Sequence, residues 1–298
     1  MENRGRQRLK VDVVELVNGD ARARFSSRGA EPLEWSVAGR GLLWDCDTQH
    51  WDRTAPVLFP SVGWSREGRV TIAGRSYTMP VHGFAPSALF DVVSRDATSV
   101  MFELGDSDAS RVHFPFAFGL RVRYALEPDA LYVELAVTNP GVGSLPYACG
   151  FHPGFSWPFA GGEQNDYRIV FTELENARVP IITQGGLISS AQRAIPMQGR
   201  TMPLSGATFS QEALCFLDAR SRHVSIEGPQ GAIQVEADGF RHWALWSRPG
   251  APFVCIEAWT GHGDPEGFSG EFADKPSMEH LAPGETRRHK VVLRWLAR

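Results

Sequence analysis

Alternation is the feature that most constrains this chain. In Leu131-Tyr132-Val133-Glu134-Leu135-Ala136-Val137 every odd position is aliphatic. A two-residue period places one face of a strand against a core. Runs of the same kind recur at Val11–Val17, Leu89–Ser94, Val100–Leu104, Gly119–Leu126, Tyr167–Phe171 and His223–Glu227. Others are Ala232–Glu236, Trp243–Ser247, Phe253–Trp259 and His289–Leu296. Turn signals separate them, among them Asn18-Gly19, Glu127-Pro128-Asp129, Asn139-Pro140-Gly141, Gly228-Pro229 and Arg248-Pro249-Gly250. No long stretch carries a helical period, and 30 glycines and 20 prolines oppose long helices. Many short strands with regular turns predict an all-β fold, a large antiparallel sandwich. No repeat or linker divides the chain, so residues 11–298 are expected to form a single β-sandwich catalytic domain behind a flexible N-terminus at 1–10. Residues 173–212 are the least regular and predict an excursion over the sandwich surface.

The bulk numbers exclude some classes of function. Hydrophobic residues make up 43% of 298 and charged residues 21%, which supports a substantial core. A net charge of -4 is not that of a nucleic-acid binder. No segment approaches the roughly 18 apolar residues of a membrane span. The polar, basic segment Met1–Lys10 does not read as a signal peptide, so the expected location is cytoplasmic. Cys46, Cys149, Cys215 and Cys255 lack Cys-x-x-Cys pairing and read as free thiols. The expected partner is a small molecule, with the protein a monomer or homodimer.

Three segments set one titratable residue among aromatic, apolar or glycine neighbours. They are Pro80-Val81-His82-Gly83-Phe84-Ala85, Gly150-Phe151-His152-Pro153-Gly154-Phe155 and Phe253-Val254-Cys255-Ile256-Glu257-Ala258-Trp259. Partial desolvation can bring the pKa of such a group toward neutrality. Two histidines and a glutamate brought together would make an acid/base site. Each also has a plainer reading: Glu257 at a strand end reaching water or an arginine, His152 as a satisfied core histidine, Gly83 as a simple turn. In the strand pattern, Cys255, Glu257 and Trp259 share one face, and Val254, Ile256 and Ala258 the other. Pro153 biases His152 toward an extended backbone. A metal site of the same three residues is chemically possible, but no His-x-His or His-x-x-x-His spacing supports it. No Gly-x-Ser-x-Gly elbow supports a nucleophile. Metal-free proton transfer, with no cofactor, fits best.

The ordered set His-Gly-Phe-Ala, Gly-Phe-His-Pro and Cys-Ile-Glu-x-Trp resembles the aldose 1-epimerase (galactose mutarotase) family, in particular its LacX-like bacterial branch. Val57–Gly63, Trp259–Asp264, Phe272–Lys275 and Leu281–Glu285 extend the likeness over nearly the whole chain. The resemblance implies a β-sandwich with a shallow sugar cleft. It implies Glu257 as the base at the anomeric hydroxyl, His152 as the acid at the ring oxygen, and His82 as a further catalytic and binding group. It also implies sugar contacts from Arg66, with Arg69 as a substitute, and from Trp246 and Trp259. On this assignment the low-pH limb of activity belongs to Glu257 and the high-pH limb to His152. Pro86 stands where the phosphate-sugar branch carries arginine, which favours an unphosphorylated aldose. A sugar-binding protein without catalysis, a hexose 6-phosphate mutarotase and a structural scaffold are the alternatives.

Overall fold

The computed structural model describes residues 11–298, so the expectation for residues 1–10 lies outside the described residues. Two large antiparallel sheets organise the chain. The larger has nine strands. Its centre is Thr286–Ala297, paired on one side with Gly231–Asp238 and on the other with Ala130–Thr138. The smaller has Phe253–Trp259 at its centre, flanked by His242–Trp246 on one side and by Gly150–Phe151 and Gly154–Ser156 on the other. A third sheet of four strands begins with the hairpin Val13–Asn18 and Ala21–Ser26.

Alternation explains how the two large sheets share one core. Leu120, Val122 and Tyr124 from the nine-stranded sheet join Val254, Ile256 and Ala258 from the smaller sheet in one apolar cluster. Leu131, Val133 and Leu135 complete the run predicted from the sequence. The opposite face of Phe253–Trp259 is buried too, but against other groups: Cys255 lies among Trp44, Trp51 and Phe253, and Trp259 among Leu58, Cys215 and Ala244. The central strand is therefore buried on both faces, one for the core and one for the site.

All the strand-like runs of the sequence form strands, with ends moved by a residue or a few. The interval 173–212 is more ordered than its composition suggests. Arg178–Ile182 and Ile188–Ala194 pair with each other as a hairpin, which a parallel bridge ties at Ile188 to Pro265, and Thr201–Pro203 adds an edge strand to the nine-stranded sheet. Backbone pairing supplied by neighbours overrides weak local patterning here. Among the described residues the four cysteines are free, three of them buried.

Candidate active site

The register of one strand pair builds the centre of the site. Phe151 pairs with Ala258, and Gly154 pairs with Cys255. The same antiparallel register carried through the intervening residues sets His152 opposite Glu257. Pro153 has no N–H to give the ladder, yet its carbonyl accepts from the Ile256 amide at 3.3 Å. The His152 amide turns away to the Pro56 carbonyl at 3.1 Å. Cross-strand partners lie within side-chain reach. Accordingly His152 Nε2 and Glu257 Oε1 are 3.2 Å apart, with side chains 7% and 2% exposed. On the other flank Ala244 faces Glu257, and its small side chain leaves the carboxyl room.

The glutamate has a second partner. Trp259 Nε1 donates to Glu257 Oε2 at 2.9 Å. The indole and the carboxyl project from the same face of one strand, two residues apart, as the alternation predicted. The His152 ring is stacked on Trp51 at a centroid distance of 4.9 Å and meets Trp246 edge-on at 5.8 Å. Its Nδ1 is buried without a hydrogen-bond partner.

His82 arrives from a turn. It adopts a left-handed backbone conformation, φ 65°, and Gly83 follows at φ 76°. A side chain at Gly83 would overlap the Phe59 backbone, so only glycine lets this turn close onto Phe59. The Gly63 amide donates to His82 Nδ1 at 3.2 Å, which leaves Nε2 as the ring's remaining donor. The His82 and His152 rings are 5.4 Å apart, near perpendicular. One donor atom from each of His82, His152 and Glu257 lies within 4.8 Å of the others. Folding thus assembles a set that a divalent ion could also draw together, and the missing His-x-His spacing has no bearing on it.

Burial sets the protonation of this cluster. Desolvation pushes the Glu257 carboxyl well above the usual carboxylate range, opposed in part by the Trp259 hydrogen bond. Desolvation also pushes the His152 imidazole well below its ordinary value, and the neighbouring His82 adds to that. His82 is shifted down by desolvation as well, although the residue as a whole is only partly buried and lines the cleft. The separation of His152 and Glu257 would suit an ion pair. The opposed shifts instead favour a neutral hydrogen-bonded pair, with the shared proton resting on the glutamate. The expected order of titration runs against these directions, because desolvation favours the protonated carboxyl and the neutral imidazole.

The three residues open onto a cleft of about 920 Å³. Trp246 and Trp259 line it, together with Trp51 and the half-exposed Trp64. Arg66 does not. Its Nε donates to the Phe268 carbonyl at 3.1 Å, and the residue is not among those that line the cleft, where the expected sugar contact would place it. Arg69 is likewise committed elsewhere, its Nε donating to Ser76 Oγ at 2.7 Å. The arginines that do line the cleft are Arg53 and Arg248. Arg53 Nη1 donates to the Pro86 carbonyl at 2.9 Å, so a guanidinium reaches the segment where proline replaced one. Sequence reasoning missed both, because turn segments carry no periodicity to single them out.

The fold and the site together define a galactose mutarotase-like β-sandwich with a buried carboxyl–imidazole pair. A model of the aldose 1-epimerase family matches residues 12–294, and the chain belongs to that family, in its LacX-like branch. The plasmid-encoded protein LacX of Lactococcus lactis subsp. lactis is 27% identical over 288 residues, covering 92% of this chain and 96% of LacX. A galactose mutarotase-like protein from Lactobacillus casei superposes with a TM-score of 0.88 at 25% identity, covering 95% of this chain and 100% of that one. A galactose mutarotase related enzyme from Lactobacillus acidophilus gives 0.89 at 26% identity, covering 96% and 98%.

Proposed function

We propose that this protein is an aldose 1-epimerase that interconverts the α and β anomers of a free aldose. The observation that carries this reading is the buried Glu257–His152 contact of 3.2 Å at an aromatic-lined cleft. A carboxyl and an imidazole in contact can hold one proton between them and deliver it to either of two substrate oxygens. In the active arrangement Glu257 is ionised and His152 protonated. Glu257 takes the proton of the anomeric hydroxyl, and the C1–O1 bond becomes a carbonyl. The C1–O5 bond breaks, and O5 takes the proton of His152. The open-chain aldehyde rotates about C1–C2. O5 then attacks the other face of C1, returning its proton to His152, while O1 recovers one from Glu257. No proton is gained or lost over the cycle, and no redox step occurs. His82 donates from Nε2 to a sugar oxygen, and the Trp246 and Trp259 rings offer apolar surface to the sugar.

A specific observation favours a second reading, a sugar carrying a negative charge. Arg248 lines the cleft, is exposed, and has no acidic partner among the described residues. Polarimetry on freshly dissolved α-anomers of glucose, galactose and glucose 6-phosphate separates the readings. Turnover of a neutral sugar, lost in Glu257→Gln, supports the proposal. Turnover of the phosphate alone moves the assignment to the charged sugar. Binding without turnover makes the protein a sugar-binding member of the family.

A further inference from the structure

Two stretches that carried the family resemblance, Trp259–Asp264 and Phe272–Lys275, also hold a buried ion pair that the chemistry above does not use. Lys275 Nζ lies 3.3 Å from Asp264 Oδ1, and the side chains are 0% and 6% exposed. Neither residue lines the cleft. A buried ion pair is seldom more stabilising than an apolar pair of the same volume. What it does supply is direction, because the charged atoms must meet in one geometry.

Apart from the turn that Lys275 sits in, where its amide donates to the Phe272 carbonyl and its carbonyl accepts from the Met278 amide, the bonds of the pair run to one loop, residues 61–66, or to the hairpin beside it. Lys275 Nζ is 3.5 Å from Ser61 Oγ. Asp264 Oδ2 accepts from the Arg66 amide at 2.9 Å. The Asp264 amide donates to the Trp64 carbonyl at 2.8 Å, and its carbonyl accepts from the Ile188 amide at 2.9 Å. The loop is thus held at its start, middle and end. Its central residue, Gly63, is pressed so close to Gly263 that a Cβ would lie 2.6 Å from the Gly263 nitrogen.

Gly63 is also the residue that grips His82. The His82 amide donates to the Gly63 carbonyl at 3.0 Å, and the Gly63 amide donates to His82 Nδ1 at 3.2 Å. An N–H aimed at Nδ1 makes that atom an acceptor, so a neutral ring must carry its proton on Nε2. A small shift of the loop would remove this constraint and leave both tautomers open.

We propose that Lys275 and Asp264 are positioning residues that lock the 61–66 loop against His82 and so hold its ring as the Nε2–H tautomer, the donor to a sugar oxygen. The donor role rests on the function proposed above; the tautomer does not. Ring ¹⁵N shifts of His82, from a two-bond ¹H–¹⁵N spectrum of the full chain assigned with His82→Gln, read the tautomer without any sugar. Wild type should show protonated Nε2 and unprotonated Nδ1 at neutral pH. The double variant Asp264→Asn/Lys275→Met removes both charges, leaves none unpaired, and keeps an acceptor for the Arg66 amide. In it the two ring nitrogens should approach averaged shifts. Its kcat should fall ~10-fold or more with KM changed by less, since a misplacement of about 1 Å can cost on the order of 10²-fold. A folded double variant with the wild-type tautomer and kcat would overturn the proposal. A wild type protonated on Nδ1 would overturn it whether or not the variant folds. A wild type that turns over no sugar but shows the Nε2–H ring, lost in the double variant, would refute the epimerase reading alone.

Discussion

Trp259→Phe tests the proton balance of the site most directly. The indole N–H reaches Glu257 Oε2 at 2.9 Å, and both residues are buried. It stabilises the carboxylate more than the carboxylic acid, because hydrogen bonds to a charged group are the stronger ones. Desolvation favours the proton on Glu257 at rest, and turnover requires it to move onto His152. Phenylalanine keeps an aromatic ring but gives up the donor. A hydrogen bond to a buried charge contributes about 1.5–3 kcal/mol. At about 1.4 kcal/mol per decade this predicts a loss of about 10- to 150-fold in kcat. The sign of the pH effect follows from the same cause. Without the N–H the ionised form is harder to reach, so the pair's last proton leaves at higher pH and the alkaline limb of the kcat profile moves up. Polarimetry at saturating sugar, well below the melting temperature, reads both effects on the enzyme–sugar complex and so removes any change in sugar affinity. A kcat within twofold of wild type, with an unmoved alkaline limb, would show that Trp259 does not control the base.

Glu257→Gln and His152→Asn should each lower kcat by roughly 10²–10⁴-fold, and the double variant should lose much less than the product, since one ring opening needs both groups. Single-variant and double-variant rates measured under one condition check this. Glu257→Gln should also melt higher than wild type, by a margin that widens as pH rises from the ordinary glutamate value of 4.5 toward the raised folded value. In that window the folded wild type keeps a proton that the unfolded chain has released, so wild-type stability falls with pH and the glutamine form escapes the loss; a margin that narrows with pH would contradict the buried neutral carboxyl. Exhaustive chelation should leave mutarotation unchanged, and loss of activity restored by one divalent ion would assign the His82–His152–Glu257 set to a metal instead. Arg248→Ala should leave kcat/KM for neutral aldoses within about twofold while reducing any turnover of glucose 6-phosphate, because a guanidinium–phosphate contact is a charge-assisted one.

Local pattern determined the parts of this protein that depend on a few neighbouring residues. Period-two alternation in Leu131–Val137 and Phe253–Trp259 is enough to make strands and to assign their faces, so Glu257 and Trp259 were legible as one surface. The order of short motifs was enough to indicate the family, and each motif already contained one of His82, His152 and Glu257. Distances between motifs were not legible. About a hundred residues separate His152 from Glu257, and only the register of their two strand segments sets the imidazole opposite the carboxyl. Arg66 looked like a sugar ligand because it follows the right segment, yet the Phe268 carbonyl, some two hundred residues away, decides where its guanidinium points. Arg53 and Arg248 reach the cleft from turns, where no period exists to read. The order of proton binding was also decided by the fold. A sequence names the titratable groups, but desolvation depends on what surrounds them from every side, and that is fixed only when distant strands close over Glu257 and His152.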